Sequence, residues 1–69
     1  MRTGRIKWFD SLQNYGYIIL FDGTEVYFHG TGLLGGPGLS TPLNPGMDVS
    51  FDIIVTKVGM EAQNVEPIG

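Results

Sequence analysis

The chain has 69 residues, fewer than the roughly 100 to 200 of an ordinary domain, so a single small domain is expected over 1–69 and a multidomain enzyme is not. Cysteine is absent, which removes disulfides, thiolate zinc sites and cysteine nucleophiles together and suits a reducing cytoplasm. Four basic residues against seven acidic ones leave a net charge of -3, which argues against any partner held by bulk charge attraction alone.

The longest apolar run is Tyr17 to Phe21, far short of the about 20 residues of a membrane-spanning helix, and no signal-peptide core follows Met1 to Lys7. A soluble, unexported chain is expected. Eleven glycines and four prolines break the sequence so often that long helices have no room.

In chain order, the first strand is expected over Arg5 to Phe9 and the second over Tyr15 to Phe21. A turn at Asp22-Gly23 leads to a third strand over Glu25 to His29, since aspartate followed by glycine is a strong hairpin signal. Gly30 to Gly46 follows, 17 residues with six glycines and three prolines. A connection of that length tends to be functional or mobile, and it offers a route to a homodimer. Within Met47 to Val58, Val49, Phe51, Ile53 and Val55 alternate with their neighbours as in a half-buried strand. A helical face can also be drawn there, but it would leave Val49 and Ile53 in water, and six of the twelve residues are β-branched. A last strand is expected over Glu61 to Val65, after a turn at Gly59. Five short strands with no helix predict an all-β fold, a small antiparallel barrel whose closure removes exposed edges.

Alternation divides the strands into two faces. Ile6, Ile18, Leu20, Val26, Phe28, Val49, Phe51, Ile53 and Val65 form the expected core. Trp8, Tyr15, Tyr17, Tyr27 and His29 gather on the other face, with Lys7 beside them. Gly16, between two tyrosines, leaves room for tight coiling of its strand. A single surface tyrosine is ordinarily just barrel packing, but a second aromatic set beside an already filled core is surplus to folding. Such a surface suits single-stranded nucleic acid, whose bases regain on flat rings the stacking they lose on separating, at about 1 to 3 kcal/mol each.

These residues lie in motifs that resemble the cold-shock domain, a five-stranded oligonucleotide-binding (OB-fold) barrel. Gly4-Arg5-Ile6-Lys7-Trp8-Phe9 is similar to that family's opening, Asn14-Tyr15-Gly16-Tyr17-Ile18 to its first ribonucleoprotein motif and Val26-Tyr27-Phe28-His29 to its second. Gly59-Met60-Glu61-Ala62-Gln63-Asn64-Val65 follows its closing segment, and Asn44-Pro45-Gly46 stands where a turn precedes the fourth strand. The resemblance covers nearly the whole chain. It implies binding of single-stranded RNA or DNA with low sequence specificity, in the manner of an RNA chaperone, through Lys7, Trp8, Tyr15, Tyr17, Tyr27 and His29.

The departures from the family pattern cluster on the binding face. Gln13 replaces a common lysine, Asn14 a glycine and Glu61 a glutamine. Gly30 stands where many members carry a further stacking phenylalanine, and Leu33 to Leu43 holds no counterpart of the family's aromatic loop residue. Each change is expected to weaken binding, and Gly30→Phe to restore a stacking surface. The competing reading, favoured by the net acidity, is a protein-interaction barrel that has lost its nucleic acid.

Other chemistry finds little support. His29 is the only histidine, so a metal would need carboxylate help. Asp10, Asp22 and Glu25 read as solvated turn-formers rather than a general acid and base. Gly35-Gly36-Pro37-Gly38 lacks the Lys-Ser or Lys-Thr of a phosphate loop and reads as flexible linker. No enzyme activity, cofactor or metal is expected, and no membrane partner.

Overall fold

The computed structural model of the chain describes residues 2–30 and 43–68. Its strands are β1 (Arg2–Asp10), β2 (Tyr15–Ile19), β3 (Glu25–His29), β4 (Asp48–Thr56) and β5 (Gly59–Pro67). They close into a barrel in the order β1-β2-β3-β5-β4. The five-stranded barrel expected from the turn punctuation is therefore present. All its pairings are antiparallel except β3 with β5, which run parallel through Tyr27 opposite Glu61 and Phe28 opposite Ala62. Most of the Gly30 to Gly46 connection, including the glycine-rich stretch at Gly35, lies outside the described residues, and with it the loop through which a homodimer was expected.

The second strand stops at Ile19, two residues earlier than its apolar run. The Leu20 N–H already donates to the Thr24 carbonyl at 2.8 Å and the Gly23 N–H to the Leu20 carbonyl at 2.9 Å, so the chain is turning, and Phe21 stands fully in solvent. The Asp22 carboxylate accepts the Thr24 N–H at 2.9 Å. That hydrogen bond holds its carboxyl below the usual aspartate value.

The core is Ile6, Ile18, Val26, Phe28, Leu43, Val49, Phe51, Ala62 and Val65, with Phe9, Leu20, Met47 and Ile53 partly buried against it. Leu20 and Ile53 thus sit at the margin, and Ala62 and Leu43 enter the interior. Val55, which alternation assigned to the buried side, is 84% exposed. Val55 lies one pair from the end of the β4–β5 ladder, opposite Met60, which is itself exposed.

A one-residue bulge in β1 sets the phase of the whole aromatic face. Ile6 lies opposite Ile18, but Trp8 lies opposite Tyr17, so Lys7 is the extra residue. Without it, strict alternation would turn Trp8 inward with Ile6. The bulge shifts the phase, placing Trp8 beside the outward Tyr17 and sending Phe9 inward, where its ring stacks on Phe28 with centroids 5.5 Å apart. Phe9 crosses opposite Gly16. A Cβ there would run into the Trp8 carbonyl oxygen and come within 2.9 Å of the Phe9 Cα, so the glycine serves the close approach of two backbones as well as coiling.

Candidate nucleic-acid interface

Pairing of β2 with β3 sets Tyr15 opposite His29 and Tyr17 opposite Tyr27, and the bulge adds Trp8. Trp8 meets Tyr15 at 5.2 Å edge-on and Tyr17 at 5.3 Å with the rings tilted by 55°. Tyr27 meets Tyr15 at 6.0 Å and Tyr17 at 5.9 Å. The four rings form a closed circuit of contacts in the spacing range that aromatic pairs favour. All four, with His29, remain half-buried, so the cluster keeps ring surface available to a partner.

The five aromatic residues expected at the site are thus together, and Lys7 borders them. Its cation is not idle: Lys7 Nζ lies 2.6 Å from Glu25 Oε2, both side chains 43% exposed. Glu25 therefore corrects its reading as a plain turn-former. It shares a face with Tyr27 and His29, two and four residues along the same strand, and counting by twos along β3 would have found it. Arg5 is likewise paired, with Asp48 at 3.2 Å. Glu61, the acidic departure, lies beside Tyr27 through the parallel β3–β5 pairing. Among the described residues no three His, Asp or Glu side chains gather in a way that could hold a metal ion, and no helix is long and apolar enough to cross a membrane.

The opposite end of the face bears on the expectation for Gly30→Phe. Gly30 is buried, and a Cβ on it would collide with the carboxamide of Asn14. What Gly30→Phe meets is the far end of an exposed side chain, which must swing aside, and no backbone strain stands in its way, since Gly30 is absent from the left-handed glycines. Asn14 does adopt that conformation, at φ 63°, as an asparagine can. The departures at 14 and 30 therefore touch, the Asn14 amide lying against the backbone of Gly30. Two sites 16 residues apart carried no sign of that contact in the sequence.

Comparison with known proteins agrees with this geometry. The model of the 'Cold-shock' DNA-binding domain matches residues 2–68. The chain is 38% identical to cold shock protein CspB of Bacillus caldolyticus and 37% identical to CspB of Geobacillus stearothermophilus, each over 94% of this chain and 96% of the relative. It is 35% identical to cold shock protein CspD of Bacillus subtilis over the same shares. A closed five-stranded barrel, the ribonucleoprotein-like segments on β2 and β3 and a match along almost the full length agree: the chain belongs to the cold-shock domain family, a family of nucleic-acid-binding proteins.

Proposed function

We propose that this protein captures single-stranded RNA or DNA by stacking bases on Trp8, Tyr15, Tyr17, Tyr27 and His29, with Lys7 beside the backbone path. It hydrolyses nothing and keeps strands unpaired, as an RNA chaperone does, in a reducing cytoplasm that suits a chain without cysteine. The observation that carries this reading is the circuit of four half-exposed rings outside a core that is complete without them. Stacking accepts any base, which gives affinity with little sequence preference, and it leaves the phosphates toward solvent, which a net charge of -3 can tolerate.

Trp8 is the only tryptophan, so its emission reports on the face directly. Titration with oligothymidylate should quench it, because a stacked base deactivates the excited indole. Emission indifferent to every oligonucleotide would instead favour a face that binds protein.

A further inference from the structure

The turn joining β1 to β2 is tied down more firmly than an exposed turn requires. The Asp10 carboxylate accepts the N–H groups of Leu12 and Gln13 at 2.9 and 3.3 Å. The Asp10 carbonyl accepts the Asn14 N–H at 2.7 Å, and the Asn14 carbonyl accepts the Gly30 N–H at 2.8 Å. The backbone of Asn14 is thus held from both sides at φ 63°. Glycine would meet that conformation with less steric cost, so the turn itself has no use for the carboxamide.

The carboxamide is nevertheless given a place. It rests against Gly30, in space that any side chain there would take. Among the described residues neither its oxygen nor its nitrogen has a hydrogen-bond partner. By register it stands at the end of the aromatic face, one residue before Tyr15 and across from the residue that follows His29. An exposed amide beside rings that stack bases, with its donor and acceptor unpartnered among the described residues, has the chemistry of a base reader.

We infer that Asn14 selects the nucleobase stacked at the Tyr15–His29 end of the face, and that the base it selects is adenine; this rests on the nucleic-acid reading above. A carboxamide presents a donor and an acceptor side by side. Adenine offers the complement twice, its N6 amino group lying next to N1 on one edge and next to N7 on the other, the latter being the pairing asparagine makes with that base, whereas thymine and cytosine offer it only on the Watson–Crick edge. In a single strand both edges are open to such contact. The rings supply affinity that tolerates any sequence, and the amide adds preference at one position. Because the backbone of the turn is already fixed, only the freedom of the side chain itself is lost when the hydrogen bonds form.

The test is a walk of one adenine through each position of hexathymidylate, read by Trp8 emission for the wild type and for Asn14→Gly. Glycine accepts the backbone of this position, and a melting curve confirms that the variant folds. The wild type should favour adenine over thymine at one position by about five- to tenfold, the lower end of what a bidentate contact discriminates. In Asn14→Gly that ratio should fall to within about twofold, while stacking keeps the all-thymine strand bound. A wild type that binds every strand alike, or an adenine preference equal in the two proteins, overturns this inference alone. Strands that leave Trp8 emission unchanged throughout overturn the stacking face and this inference with it.

Discussion

Strands β2 and β3 carry two surfaces on one backbone, and the two differ in what they contribute. Inward, Ile18, Val26 and Phe28 are each 0% exposed and form the centre of the core. Outward, Tyr15, Tyr17, Tyr27 and His29 are only half-buried, and the Tyr27 ring meets those of Tyr15 and Tyr17. Neighbours in sequence thus answer to different demands, the inner set to folding and the outer set to a partner. The two should separate under mutation.

The largest effect belongs to the inner face. Phe28→Ala and Phe51→Ala each empty a fully buried ring and should cost about 3 to 5 kcal/mol, a large fraction of the roughly 5 to 15 kcal/mol that holds a domain together. Urea denaturation should show both close to unfolded, and Val26→Ala less so. Tyr27→Ala and Tyr17→Ala, on the outer face, should leave the urea midpoint nearly in place and remove about 1 to 3 kcal/mol of oligonucleotide affinity. If Tyr27→Ala and Phe28→Ala destabilise equally, the division between the faces is wrong.

Gly16 is where the two faces meet, because its missing side chain lets β1 pass close enough to put Phe9 inside and Trp8 outside. Gly16→Ala removes no apolar contact, yet its methyl would strike the β1 backbone. Overpacking of this kind costs about 1 to 3 kcal/mol, and the shift of β1 should also weaken Trp8 quenching by oligothymidylate. A variant as stable as wild type with unchanged quenching would mean that β1 can retreat without moving Trp8.

How much of this was legible in the sequence depends on how local each feature is. Period-two alternation and the Asp22-Gly23 turn placed the strands and most of the core, since both are written within a few residues. The bulge at Lys7 was not legible: Ile6 and Trp8 have the spacing of one face, and only pairing with β2 reveals that they lie on two. Trp8 reached the correct face through its neighbours' chemistry and the family pattern, without the backbone reason. Burial of Ala62 and exposure of Val55 follow from where the barrel closes, a long-range fact. The contact of Asn14 with Gly30 depends on β2 and β3 lying side by side, so the two departures read as separate losses.

That contact predicts a coupling of intermediate size. Gly30→Phe alone must push the Asn14 amide aside, and Asn14→Gly alone leaves space unfilled. Together they remove the collision. In a double-mutant cycle on stability, the pair should differ from the sum of the singles by about 0.5 to 3 kcal/mol, the range for residues in contact, with the double variant more stable than Gly30→Phe. Additive effects would show that the amide moves away at no cost.

The smallest effect is at the other end of the face, where Lys7 and Glu25 form their ion pair. With both side chains so exposed, the pair contributes less than about 1 kcal/mol to folding, so Glu25→Gln should scarcely change the melting temperature. Its consequence is for binding. A phosphate that meets Lys7 must compete with a carboxylate already 2.6 Å away, and the neutral amide of glutamine competes less. Each phosphate neutralised on a single strand contributes about -0.7 to the slope of log affinity against log salt. With Arg2, Arg5, Lys7 and Lys57 as its four cations, the chain cannot exceed a slope of about -3. Glu25→Gln should tighten oligothymidylate binding at low salt and steepen the slope by up to about 0.7. The gain should vanish toward 1 M salt, where screening acts within about 3 Å. In a Lys7→Gln background the same substitution should no longer steepen the slope, because the cation it releases is gone. A steepening that persists there would assign the effect to general removal of negative charge, and no change in either background would take Lys7 off the path of the bound strand.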